Sequence, residues 1–462
     1  EAVCNPGGDI GDVLDTISSL VDKSLLKQQE DVRAPGGVGG HASGEPRFWM
    51  LETIREYGLE RLEESGEAQQ IRRQHAEFFL ALCEEDEQFV LGLQDPVWLD
   101  RLEVEHENST AALRWLVAQG DTQLALRLAA ALMQFWVMRG YASEGRNWLE
   151  QVLSLPGAGE RTPARAKALV AAASIAWPQG DLKAGRIWSE EGAAIFRELG
   201  DRQGLAYALA ILAMPALLQG DLAAAAPIFE EALALSGELP NRRLVGLLLL
   251  AVGQMAMMQG DYPLARSRFE QALAESRASH NKWEVAQTLN SLGDLARLEG
   301  DYPKAVQLYE QSLAEFRNVN ANGDIPAVLH NLGHASLARG DHKRARTLFA
   351  ESLALQQELS NKAGVAEGLS GLAGIAAVES QASSEQGPAA QPEKALRAAR
   401  LFGVSDALRA ASGAPMWPAE RADYERNIAS ARAQLDEQTW QKAWQEGHTM
   451  SLEAAIQYAL QA

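Results

Sequence analysis

The chain is short of residues on which several function classes depend. It has only two cysteines, Cys4 and Cys83, without metal-ligand spacing. This excludes a disulfide scaffold and fits a reducing compartment. Aromatic residues make up 6% of the chain, and β-branched residues are sparse beside Ala, Leu, Glu, Gln and Arg. Those abundant types are the strong helix formers, so an all-α protein is expected. Basic charge is also in deficit. With 42 Lys and Arg against 62 Asp and Glu, the net charge is −20 over 462 residues, a surface that repels phosphate backbones. No apolar run reaches membrane-spanning length, and the start has no basic-then-apolar leader. A cytoplasmic protein is expected, with no membrane contact and no nucleic acid bound through this segment. Residue 1 is Glu, not Met, which suggests a piece of a longer polypeptide. No Gly-Lys-Ser/Thr phosphate-binding turn occurs, and no Ser, Cys or His sits in a nucleophile elbow or dyad. Neither catalytic residues nor cofactors are expected.

What the chain has in abundance is repetition. Gly140, Gly180, Gly220, Gly260, Gly300 and Gly340 recur every 40 residues, and a period of that size marks stacked supersecondary units. Other series keep the register. Small residues follow five positions later (Gly145, Gly185, Ala225, Ala265, Ala305, Ala345), and aromatics nine later in the last four units (Phe229, Phe269, Tyr309, Phe349). Apolar or small residues lie thirteen after (Leu153, Ala193, Leu233, Leu273, Leu313, Leu353) and eight before (Leu132, Ala172, Leu212, Val252, Leu292, Leu332).

One unit explains the pattern. Leu289, Leu292, Leu295 and Ala296 place an apolar stripe on a first helix. Gly300 suits the left-handed residue that ends it, because it has no Cβ to clash. Asp301 can cap the second helix and Pro303 sits in its first turn, where a missing N–H costs nothing. Ala305, Tyr309, Ser312, Leu313 and Phe316 form its buried face. Asp181, Asp221, Asp261 and Asp341 repeat the cap. Antiparallel helix pairs stacked side by side make a curved groove lined mainly by the first helices.

The series Leu292, Gly293, Ala296, Gly300, Tyr302, Ala305, Tyr309, Ser312 and Leu313 resembles the tetratricopeptide signature, best from about 205 to 359. The usual period of that family is shorter, and the resemblance is to variants with a longer second helix and following loop; loops such as 318–324 are expected to hold the surplus. Near the start, Leu20-Val-Asp-Lys-Ser-Leu-Leu26 and Arg47-Phe-Trp-Met-Leu-Glu-Thr-Ile-Arg-Glu-Tyr57 resemble the junction from winged helix to sensor in bacterial STAND-class ATPase regulators, including LuxR-type activators. His75 to Leu80, Trp98 to Glu103, Ala111 to Trp115, Tyr424, Ala443-Trp444 and Ser451 to Ala455 agree in style. The resemblance implies a sensor and regulatory region whose ATPase would precede residue 1.

The expected fold is an all-α, tetratricopeptide-like α-solenoid superhelix with a small truncated winged-helix (α+β) remnant at the N-terminus. The remnant and its following helix take 1–64, a helical connector with degenerate repeats 65–160, and the 40-residue repeats 161–378. A flexible loop takes 379–392, and capping helices 393–462. Within the remnant, an amphipathic helix around Val13 to Val21, strands at Leu25 to Gln28 and Arg47 to Met50, and a glycine-rich wing from Pro35 to Gly44 are expected.

Polar positions on adjacent first helices, Asn290, Asp294, Arg297, His330, Asn331 and His334, are expected to face the groove. They could bind a protein, peptide or small inducer there, or be solvated helix faces. His330 and His334, four apart with Asp294 at the equivalent repeat position, have the spacing of metal ligands. Core-pattern Leu332 and Gly333 lie between them, and no metal site is assigned. Met255, Met257 and Met258 are core filler or an adaptable groove floor. The function expected is a non-catalytic interaction or sensor region of a signalling or transcriptional regulator; the alternatives are a plain assembly scaffold and a small-molecule receptor.

Overall fold

A computed structural model of the chain describes residues 3, 13–29, 47–85, 96–237, 241–359, 361–384, 391–412, 416 and 418–461. Among them are twenty-two helices and one sheet of two antiparallel strands. The chain divides into two compact units, 1–212 and 213–462.

The first unit opens with the helix Val13–Asp22 and the strands Lys27–Gln29 and Arg47–Trp49, in register Lys27 to Trp49. The expected wing and Cys4 lie outside the described residues. The helix Glu52–Ser65 follows and buries no residue. From Ala68 onward helices pack around a core that includes Leu113, Leu126, Leu128, Phe135 and Trp136, all at most 1% exposed. Cys83 is fully buried in that core, its Sγ 4.0 Å from Ser109 Oγ.

The second unit is a tetratricopeptide-like α-solenoid. Its regular repeat is two 17-residue helices, for example Arg242–Met258 and Tyr262–Ala278, joined by three-residue bends at 259–261 and 279–281. The surplus over the usual period is therefore helical and is shared by both helices. At 319–324 a longer connection holds part of it.

Each repeat feature has a local cause. Gly140, Gly180, Gly220, Gly260, Gly300 and Gly340 all adopt φ between 76° and 84°, the left-handed state that ends a helix. The Asp that follows caps the next helix. Asp181, Asp221, Asp261, Asp301 and Asp341 each accept the backbone N–H three residues on, all at 3.1 Å. The second bend uses the same device less visibly. Gly200, His280 and Asn320 have φ of 71°, 56° and 54°, and Asn241 and Asn281 cap the following helices. Packing explains the aromatic series. A Cβ at Gly293 would lie 2.5 Å from the Tyr309 ring, and one at Gly253 2.5 Å from Phe269. The aromatic of the second helix thus rests on bare backbone of the first. Met255 and Met257 are buried core.

Two expectations change. The segment 379–392 is not a loop throughout, because the helix Lys362–Ser384 runs into it and the next, Gln391–Ser412, begins before its end. Burial extends the first of these helices: Ser380 is fully buried and its Oγ donates to the Ala377 carbonyl at 2.7 Å. Residues 385–390 lie outside the described ones. The C-terminal helices Pro418–Arg432, Glu437–His448 and Leu452–Leu460 also do more than cover an end, since the first of them enters the groove. Among the described residues, no helix is long and apolar enough to cross a membrane.

Candidate groove site

The groove of the second unit is lined by the first helices of successive hairpins, Lys282–Leu298, Ile325–Ala338 and Lys362–Ser384. All six residues singled out from the sequence come together there. Asn331 Nδ2 donates to Asn290 Oδ1 at 3.1 Å, across neighbouring hairpins. Tyr309 Oη donates to Asp294 Oδ1 at 2.7 Å. Arg297 Nη2 reaches the same oxygen at 3.3 Å and Asn331 Oδ1 at 3.4 Å. His330 and His334 stand edge to face with ring centroids 4.6 Å apart and Nε2 atoms 3.2 Å apart, both against the Phe349 ring.

Three of the six are buried and three half-buried: Arg297, His330 and His334 are 5%, 3% and 4% exposed, and the helix Pro418–Arg432 lies against Arg297 and His334. Arg297 Nη1 donates to Asp423 Oδ2 at 2.9 Å, and His334 Nδ1 lies 3.6 Å from the same oxygen. Arg409 bonds Glu420, and Arg426 bonds Asp423 from the solvent side. Asn427 lies over Gly374, where a Cβ would come within 2.7 Å of its Nδ2. Glu420, Asp423 and Asn427, at spacings of three and four, form the stripe with which this helix meets the groove.

Burial sets the charge states. Burial works against the Arg297 cation, but Tyr309 and the carboxylates of Asp423, Asp294 and Glu420 outweigh it, so its pKa rises. Burial also raises Asp294, opposed by Arg297 and Tyr309. His330 and His334 fall well below the usual imidazole value, first through burial and then through neighbouring positive charge. They are therefore neutral at pH 7. Burial and the Glu420 charge bring Glu367 to about 7. The carboxylate that could have completed a metal site, Asp294, is already engaged by Tyr309 and Arg297. The cluster is thus a buried polar network, with Arg297 and Arg409 as its cations.

Glu420, Asp423, Asn427 and Arg409 were not foreseen as site residues. The available signal was a helix whose 3–4 periodic stripe is polar where a packed helix would be apolar. In the first unit, a separate open depression of about 850 Å³ is lined in part by Arg73, Trp115, Gln119, Asp121, Gln123 and Glu160.

Tetratricopeptide-repeat family models match residues 244–317 and 327–363. The chain contains tetratricopeptide repeats. HTH-type transcriptional regulators of Mycobacterium bovis and Mycobacterium tuberculosis are 33% identical to it over 147 residues, 30% of this chain. The match spans 14% of the length of those relatives. Among solved structures, a STAND protein with a tetratricopeptide-repeat sensor from Pyrococcus horikoshii is 12% identical with a TM-score of 0.48, covering 97% of this chain and 60% of that one. A Rap protein complexed with competence and sporulation factor is 11% identical with a TM-score of 0.48, covering 78% of this chain and 99% of that one.

Proposed function

We propose that this chain is the non-catalytic interaction and sensor region of a transcriptional or signalling regulator, and that its second unit takes a protein or peptide partner in the groove. One observation carries the reading: Arg297 and His334, from two neighbouring hairpins, converge on Asp423 of a single helical segment laid in that groove, and a third hairpin meets the same segment where Asn427 lies over Gly374. A surface that already holds one helix by buried charge-assisted bonds has the chemistry to hold another. The matched HTH-type regulators support the regulatory setting. In that setting the region would belong to a cytoplasmic STAND-class protein and would bias an attached ATPase by favouring one arrangement over another.

The test is site-specific photo-cross-linking in the native host. A cross-linker replacing Asn290 should capture a partner that one replacing Glu310, exposed on an outer helix, does not. Identical capture from both positions, or none from Asn290, refutes the groove reading. The open depression beside Trp115 and Arg73 supports a second reading, a small-molecule receptor. A thermal-shift screen against metabolites, repeated with Arg73→Ala, tests that second reading.

A further inference from the structure

The helix Pro418–Arg432 is unusual for a packed helix. Its buried positions are Ala419, Glu420, Asp423, Asn427 and Ala431, and its exposed ones include Arg421, Glu425 and Arg426. Three of these five buried positions are polar, while Tyr424, edge to face with Phe402, and Ile428 pack beside them, partly buried, on the apolar core. Two of the three are carboxylates that meet the buried guanidinium groups of Arg297 and Arg409. A core helix gains its stability from apolar area. Buried ion pairs contribute little net stability over apolar packing, because desolvation offsets their attraction, yet they discriminate sharply against wrong partners. The polar part of such a seal selects for the charge pattern laid on it.

We propose that Pro418–Arg432 is an internal stand-in for the groove's partner, and that the partner is a helical segment presenting two carboxylates three residues apart and an amide four residues further on. The inference rests on the groove reading above and deepens it. The incoming helix would reproduce Glu420, Asp423 and Asn427: one carboxylate on Arg409, one on Arg297 beside His334, and the amide over Gly374. A chain of net charge −20 repels acidic segments over most of its surface, so the groove cations select the docking place. While the internal helix is seated, the apparent affinity for the partner falls by the fraction of chains with an open groove.

The test uses the whole chain and a fluorescein-labelled synthetic peptide of its own residues 416–434, with fluorescence anisotropy as readout. Weakening the internal seal with Glu420→Gln and Asp423→Asn should tighten peptide binding about tenfold or more, by enlarging the open fraction. A peptide carrying Glu420→Lys and Asp423→Lys should bind neither chain. No gain from the weakened seal, or equal binding of the charge-reversed peptide, overturns the proposal. If the double variant fails to fold, the unaltered chain serves. Saturating isotope-labelled peptide should speed amide exchange in 418–432 while leaving 282–298 unchanged, and no such acceleration overturns the proposal. A groove that captures a partner at Asn290 in cells, yet never releases 418–432 to the peptide, keeps the groove reading and sinks this one.

Discussion

Replacing Glu284 by Gln should remove a pH-dependent weakness from the second unit. Glu284 lies in the first turn of Lys282–Leu298 and is 1% exposed. Its Oε2 accepts from Ser276 Oγ at 3.1 Å, and a Cβ at Gly246 would sit 3.0 Å from the same oxygen. Its Oε1 has no hydrogen-bond partner among the described residues. Burial raises its pKa from 4.5 to about 8, with Ser276, Arg243 and Asn281 only partly opposing. The folded state therefore holds a proton that the unfolded state releases. The stability from that proton is complete below pH 4.5 and is lost as pH rises through the interval up to about 8. At about 1.4 kcal/mol per pH unit, the loss is roughly 3 kcal/mol at pH 7 and roughly 5 kcal/mol above pH 8. Glu284→Gln keeps the shape and an acceptor for Ser276 but cannot ionise. Urea melts followed by circular dichroism at pH 5, 7 and 9 should show the two chains close at pH 5 and the variant increasingly more stable above it. Parallel pH profiles for the two chains would refute the assignment of a neutral buried carboxyl.

Three further outcomes follow from packing. Gly447→Ala should cost at least about 3 kcal/mol, because its Cβ would lie 1.9 Å from the Arg400 carbonyl oxygen and neither backbone can yield. A thermal melt losing the far-ultraviolet signal several degrees earlier checks this. His280→Gly should stabilise by about 0.5–1 kcal/mol, since His280 holds φ of 56° at the second bend; an unchanged denaturation midpoint counts against the strain. Ala305→Asp should cost about 3 kcal/mol or more, as Ala305 is fully buried between the paired helices. A variant as stable as the parent would contradict that packing.

The hairpins were legible because their determinants are local and recur every 40 residues. Gly300 must be left-handed, Asp301 must cap, and Tyr309 must find a small neighbour at Gly293, and each requirement leaves a residue type at a set offset. The second bend was harder to see, since His280 and Asn320 fill a left-handed position with residues that carry no such mark. The segment 380–384 looked like a loop from its Ser, Gln and Ala content, and tertiary burial of Ser380 keeps it helical.

Chain order alone therefore determined the helical pairs, their caps and the six polar residues that share the groove. Only the tertiary structure decided that this groove is occupied. Asp423 lies 126 residues from Arg297, and no periodicity links positions so far apart. Their pairing arises because the chain turns back on itself after Gln391–Ser412 and sets a polar stripe against buried cations.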